Sequence, residues 1–186
     1  MEKIKKFWLK YVVGYSNPQR YWNSRWKSDL SAEIKTGRIT KEESEAILNL
    51  MTMHSCKNVL EIGCGKASLR YALPNYLGLD FSLEALEKSG LDTFIYADIT
   101  KRIPLPDKSQ DAILSRYVLL HIPFSKIENA IKEISRVAKH VVILREPYGR
   151  VKKHDQPHCF LHNLPKLFES YFDGKVEFLG DDMHIT

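Results

Sequence analysis

The residues of this 186-residue chain that could do chemistry begin with VLEIGCGKASL, residues 59–69. An apolar run there enters Glu61 and then Gly63 and Gly65, with Cys64 between them and Ala67 two residues on. A strand that ends in glycines lets a ligand approach the backbone closely, because glycine has no Cβ and tolerates positive φ. Nineteen residues after Glu61, the stretch GLD ends in Asp80, a carboxylate that can accept hydrogen bonds from two ribose hydroxyls. YADI then places Asp98 between Ala97 and Ile99, and SRYVLLHI supplies Ser115, Arg116, Tyr117 and His121. Each acid alone has a plainer reading: Asp80 as a helix N-terminal acid, Asp98 as a turn former. Together they fall at the carboxyl ends of successive expected strands, where open α/β sheets bind ligands.

The spacing excludes one ligand class and favours another. A dinucleotide turn reads GxGxxG, and Ser68 stands where its last glycine belongs. The pattern acid-x-Gly-x-Gly-x-small is met by Glu61, Gly63, Gly65 and Ala67, and here the sequence resembles the class I S-adenosylmethionine-dependent methyltransferases, in particular the small type-11-like branch, over residues 57–147. Ala67 replaces the usual third glycine, with its methyl group expected to tighten helix packing. The resemblance implies S-adenosyl-L-methionine as cofactor, S-adenosyl-L-homocysteine as product, and a site built from Glu61, Gly63, Cys64, Gly65, Asp80, Phe81, Ala97, Asp98 and Ile99. It further implies that the turn Ser115, Arg116, Tyr117 lines the cofactor, that Asp98 meets the adenine amino group, and that Ala97 and Ile99 flank the ring.

Methyl transfer from a sulfonium is an in-line displacement with an activated leaving group, so alignment and exclusion of water carry much of the rate. A general base is needed only where the acceptor bears a proton. His121, beyond the fourth strand, and Glu146, in REPYGR, are the candidates. The plainer alternatives are a histidine packed near Pro123 and a carboxylate paired with Arg145 or Arg150. HDQPHCFLH gathers His154, Asp155, His158, Cys159 and His162, but HxxxH without a firm third ligand favours a substrate-facing loop over a zinc site, and no metal is expected. The Pro-Cys of the cytosine C5 enzymes and the Asn/Asp-Pro-Pro-aromatic motif of the amino-methyltransferases are absent from the turn after the fourth strand.

The elements that must position these residues alternate. Strands are expected at 58–62, 76–80, 93–97, 111–115 and 140–145, with helices between them, the signature of βαβ units. Thr40-x-x-Glu43 and Ser125-x-x-Glu128 read as capping boxes, and Ser82 as the cap of a helix ending at Gly90. Ile127, Ile131, Ile134 and Ala138 make one sheet-facing stripe. The resemblance makes this a three-layer αβα Rossmann-like methyltransferase sandwich on a mostly parallel, seven-stranded-type sheet. KVEFLGDDMHIT offers one strand and a truncated last one.

Residues 41–186 are expected to form the cofactor-binding domain, preceded by a basic and aromatic segment over residues 1–40. Residues 1–41 carry a net +7 of the chain's +5, leaving the remainder negative. Trp22 and Arg25 in PQRYWNSRWK suit a lid that stacks on the cofactor and binds its carboxylate; Trp22 and Trp26, at i and i+4, equally suit a packed helical face. The amphipathic stretch 3–11 fits a solvated covering helix best, with an anionic lipid surface or nucleic acid phosphate as alternatives. Three cysteines without a CxxC pair, no signal-peptide pattern and no ~20-residue apolar run fit a reducing, cytoplasmic setting. The expected partner is a small-molecule or lipid-like methyl acceptor. A non-catalytic partner subunit of the same fold, or an RNA or protein methyltransferase, is the alternative. The oligomeric state has no sequence signal.

Overall fold

VLEI is apolar at three of four positions and buried at all four, which is how a central parallel strand reads when helices cover both its faces. In the computed structural model, which describes residues 17–27, 39–149, 152–153, 159–179 and 184–185, this strand is β1 (Val59–Ile62). Parallel to it lie β2 (Tyr76–Asp80) on one side and β4 (Gln110–Arg116) on the other. β3 (Phe94–Tyr96) extends the sheet beyond β2, while β5 (Ala138–Arg145) and β9 (Lys175–Phe178) extend it beyond β4. The order β3-β2-β1-β4-β5-β9 is parallel at every pairing. Consequently all six strands deliver their carboxyl ends to the same rim.

The expected seven-stranded type is thus six strands among the described residues, all of them parallel. KVEF forms β9 and pairs with Val141–Leu144 of β5. The last short strand, β10 (His184–Ile185), pairs parallel with β6 (Tyr148–Gly149) outside the main sheet. A further antiparallel pair joins β7 (Lys152–Lys153) to β8 (Phe160–Leu161).

Alternation along the strands divides the core in two. Val59, Ala112, Leu114, Val141 and Ile143 face α2 (Lys41–Met53) through Ile47 and Met51. Leu60, Ile62, Ile113, Val142 and Leu144 face α4 (Phe124–Val137) and α5 (Leu164–Glu169) through Ile127, Ile131, Ile134, Leu164 and Phe168. Burying one such side chain contributes about 1.5–3 kcal/mol, so these two layers hold the sheet's strand ends in place.

The helix ends differ from the sequence in two cases, the first being that the helix capped by Ser82 stops at Glu87, short of Gly90. Thr40 caps α2 by accepting from the Glu43 amide at 3.2 Å, and Ser82 caps α3 (Leu83–Glu87) by accepting from the Ala85 amide at 3.3 Å. Ser125 is not a cap: α4 starts a residue earlier, at Phe124, with Pro123 in the capping position. Proline's fixed φ presets the helix entry there without a hydroxyl.

The segment after the glycine turn also departs from expectation. Residues 65–72 are a chain of turns with no α-helix, in which Ala67 takes φ +51° and the Arg70 amide bonds back to the Ala67 carbonyl. A residue in the left-handed region cannot propagate a right-handed helix. The Ala67 methyl, fully buried, therefore packs within a turn and not along a helix.

Candidate functional site

A cavity of about 1940 Å³ opens at the carboxyl rim of the sheet. Small-ligand pockets span roughly 300–1,000 Å³, so there is room for a cofactor and a second molecule together. Of the residues expected at a cofactor site, Glu61, Gly63, Cys64, Gly65, Asp80, Phe81, Ala97, Asp98, Ile99, Arg116, Tyr117 and Trp22 line it, as does His121. Ser115, Arg25 and Glu146 do not.

The glycine turn is tied to the end of β2. Asp80 is 6% exposed, and its Oδ2 accepts from the Gly65 amide at 3.0 Å while Oδ1 accepts from the Ser82 amide at 2.9 Å. Burial pushes its carboxyl up, against the amides of Ser82, Gly65 and Phe81, which favour the charged form. Each carboxylate oxygen keeps a lone pair for a further donor, which fits a ribose diol. Both glycines take positive φ and have no room for a side chain: a Cβ on Gly63 would sit 2.3 Å from Val118 Cγ2, and one on Gly65 would sit 3.0 Å from Trp26 Cζ2. The missing methyl groups are thus filled by two walls of the cavity, the turn after β4 and the N-terminal helix α1 (Pro18–Lys27).

Glu61 sits in a buried charge network beneath the turn. Its Oε2 accepts a short hydrogen bond from the Tyr76 hydroxyl, and its Oε1 lies 3.6 Å from the Arg116 guanidinium. Arg116 also donates from Nε to Glu43 Oε1 at 3.0 Å, which brings α2 into the network. Burial raises the Glu61 carboxyl to about 7, with the Tyr76 hydrogen bond and Arg116 opposing. Arg116 therefore lines the cavity with a guanidinium already engaged by two carboxylates. Cys64 packs its sulfur against the backbone of Gly78, where a Cβ would lie 2.8 Å away; burial and the neighbouring Asp80 and Glu61 carboxylates push its thiol up, away from nucleophilic chemistry.

The turn after β4 is held from below. Tyr117 takes φ +56°, and its amide donates to the Arg145 carbonyl. Glu146, 1% exposed, accepts at Oε1 from Ser115 Oγ (2.7 Å), the Val118 amide (2.7 Å) and the Leu119 amide (3.1 Å). Its Oε2 has no partner among the described residues, and burial raises the carboxyl to about 7. These contacts make Glu146 a strut for the cavity wall. His121 closes the 3₁₀ turn Leu119–His121; its ring lies 5.0 Å from Trp22 and its Nδ1 is 3.7 Å from Cys159 Sγ. His162 is buried and bonds to the Ile122 carbonyl at 2.9 Å, a structural placement. Among the described residues no group of three His, Cys, Asp or Glu could hold a metal ion; His154, Asp155 and His158 lie outside the described residues.

Farther along the same rim, beyond β3, Asp98 Oδ1 accepts from the Thr100 amide (3.0 Å) and hydroxyl (2.7 Å), which leaves Oδ2 as the outward oxygen, 3.9 Å from Lys101 Nζ. The loop that follows is stapled to α4 by Arg136, which donates to the carbonyls of Ile103 and Leu105, both at 2.8 Å.

Two contributors escaped the sequence reading. Gln19 donates to the Phe81 carbonyl (3.0 Å) and the Tyr96 hydroxyl (2.7 Å), pinning α1 to the ends of β2 and β3. Val118 fills the space above Gly63. Arg25, assigned to a carboxylate, instead donates to the Tyr21 hydroxyl at 2.9 Å, with its guanidinium 5.7 Å from the Trp22 ring. The lid reading of PQRYWNSRWK put this helix at the site, and Trp22 and Trp26 both line the cavity. The basic stretch 3–11 lies outside the described residues, and no helix among those described is long and apolar enough to cross a membrane.

Comparison with known proteins agrees with this geometry. Residues 60–144 match a family model described as a methyltransferase domain. Among solved structures, the YcgJ protein of Bacillus subtilis is 21% identical, with 69% of this chain and 67% of that chain covered and a TM-score of 0.53. A candidate methyltransferase of Bacillus halodurans is 15% identical, covers 66% of each chain and has a TM-score of 0.52. The cyclase SpnF, 21% identical, covers 72% of this chain and 58% of its own, also with a TM-score of 0.52. The chain thus spans about two thirds or less of the proteins it matches, and the likeness is one of fold. No curated protein sequence matches it significantly.

Proposed function

We propose that this chain, whose residues 60–144 match the model of a methyltransferase domain, is a class I S-adenosylmethionine-dependent enzyme that transfers a methyl group from S-adenosylmethionine to a small-molecule acceptor. The observation that carries the reading is the buried Asp80 carboxylate, bonded to the Gly65 amide at 3.0 Å and facing a cavity large enough for donor and acceptor side by side.

When bound, S-adenosylmethionine supplies an activated methyl group on sulfur. The chain's own residues bind, orient and exclude water. Asp80 accepts from the ribose hydroxyls, Asp98 from the adenine amino group, and Ala97, Ile99 and Phe81 supply the apolar flanks of the adenine. Glu61 and the glycine turn set the floor of the methionine end. Holding donor and acceptor in one geometry can remove about 7–11 kcal/mol from the barrier, so alignment is the main task of these walls. For an acceptor that bears a proton, His121 is the base at the cavity surface. Helix α1 acts as the lid, with Trp22 and Trp26 as its inner face.

Calorimetric titration with S-adenosylmethionine tests the reading, with micromolar-range binding expected. Absence of binding to the folded wild-type protein would overturn it. Radiolabelled methyl transfer across acceptors of graded size and charge then identifies the substrate, and transfer to none of them would favour a non-catalytic partner subunit.

A further inference from the structure

Helix α1 is pinned at both ends to the cofactor rim. Gln19 bonds to the Phe81 carbonyl, Lys27 pairs with Glu84 at 3.0 Å, and the Trp26 carbonyl accepts a short hydrogen bond from Lys88. The result is a specific seat for one ring. Trp26 lies over the glycine turn so closely that a Cβ on Gly65 would meet its Cζ2 at 3.0 Å and its Cη2 at 3.2 Å. The Lys66 ammonium is 6.0 Å from the same ring's centroid, within range of a cation–π contact. Trp22, one turn earlier, is engaged differently, by the edge of His121 at 5.0 Å and the Arg25 guanidinium at 5.7 Å.

An indole ring lining a cavity that holds a methyl donor would meet two ligands in each turnover, and they differ by one charge. The donor is a sulfonium cation; the product is a neutral thioether. An aromatic face attracts the cation by roughly 0.5–2 kcal/mol and gains nothing comparable from the thioether. We propose, resting on the methyltransferase reading above, that Trp26 is a specificity-determining residue that selects the charged donor over the uncharged product, so that α1 limits product inhibition as well as covering the site. Lys66 does not cancel this preference. Its side chain is exposed, where water and salt screen like-charge repulsion.

The test is calorimetry on the full chain with three ligands: S-adenosylmethionine, S-adenosylhomocysteine, and sinefungin, which carries an ammonium group in place of the sulfonium. In Trp26→Leu the ratio of S-adenosylmethionine to S-adenosylhomocysteine affinity should fall about three- to thirtyfold, sinefungin should weaken with S-adenosylmethionine, and Trp26→Phe should lie between leucine and wild type. Equal weakening of all three ligands, or an unchanged ratio, makes Trp26 a plain wall and overturns the proposal. If Trp26→Leu does not melt cooperatively, the ratio in Trp26→Phe decides on the same terms. Failure of the wild type to bind any of the three overturns the methyltransferase reading itself, and is distinguished by that from a wild type that binds all three without Trp26 dependence.

Discussion

Glu146, at the end of β5, accepts the hydroxyl proton of Ser115, at the end of β4, at 2.7 Å, and the same oxygen holds the amides of Val118 and Leu119. Two neighbouring strands are thereby joined at the level of the cavity, and the turn that packs Val118 on Gly63 is fixed from inside. Removing the acceptor leaves three donors unsatisfied in the interior, each costing about 1–3 kcal/mol. Glu146→Ala should therefore lose at least ~2 kcal/mol in a denaturant titration. Glu146→Gln, which keeps one acceptor oxygen, should stay within ~1 kcal/mol of wild type. Equal losses in the two variants would rule out the strut.

Asp80 has two duties, holding the amides of Gly65 and Ser82 and facing the cavity. Asp80→Ala should weaken S-adenosylmethionine binding by more than tenfold, the scale of one lost charge-assisted hydrogen bond. Asp80→Asn, which retains one acceptor, should fall between alanine and wild type. Calorimetric affinity for Asp80→Ala within threefold of wild type would remove Asp80 from the ligand's reach.

Ala67 combines a positive φ of 51° with complete burial. Left-handed backbone costs a non-glycine residue about 1–2 kcal/mol, and burying one methyl group returns about 0.8 kcal/mol. Ala67→Gly should accordingly lie within ~1 kcal/mol of wild type, since relief and cavity nearly offset. Ala67→Val should lose more than ~2 kcal/mol, because a branched side chain tolerates this backbone worst and has no space. Thermal unfolding of the pair checks both, and a well-folded valine variant would contradict the turn geometry.

Two buried carboxyls, Glu61 and Glu146, are raised to about 7, whereas unfolded glutamates titrate near 4.5. Between those values the native state holds more protons than the unfolded chain, so stability rises as pH falls through this window. Burial lowers the His162 pKa, an effect of opposite sign that sets in as pH falls through its ordinary value of 6.5. From pH 8 to pH 6.5 the unfolded histidine becomes at most half protonated, so the two glutamates outweigh it and the protein should gain about 1 kcal/mol, a midpoint rise of roughly 2–4 °C. Glu146→Gln should show about half that gain. Melting points that fall over the same interval would show both carboxyls ionised in the native state at pH 6.5.

The strands were legible because their chemistry is local. YLGLD became β2 with the expected bounds, since an apolar run stopped by an acid marks a buried strand that reaches a rim. Spacings of three and four put the stripe Ile127, Ile131 and Ile134 against the sheet as read, although Ala138 had already passed into β5. The capping box at Ser125 failed because Pro123, two residues earlier, presets the same entry. The acids and glycines around the cavity follow from spacing along single elements. Gln19, Val118 and the strut at Glu146 depend on contacts between elements far apart in sequence, and neither periodicity nor composition encodes who meets whom across a fold. Arg116 shows the same limit: its place in the chain was readable, but its commitment to Glu43 and Glu61 was not.

Because all six strands run the same way, the two rims of the sheet do different work. Everything ligand-facing lies at the carboxyl rim, while the amino rim gathers the turns that lead into β1, β2 and β4, where Lys57, Asn75 and Lys108 lie; Lys57 also donates its amide to Asp111 at 2.8 Å. That distant edge is the natural handle of the molecule. A tether or fluorophore attached at Lys108 would leave the cavity facing solution, which suits the protein to surface-based ligand screening without engineering the site itself.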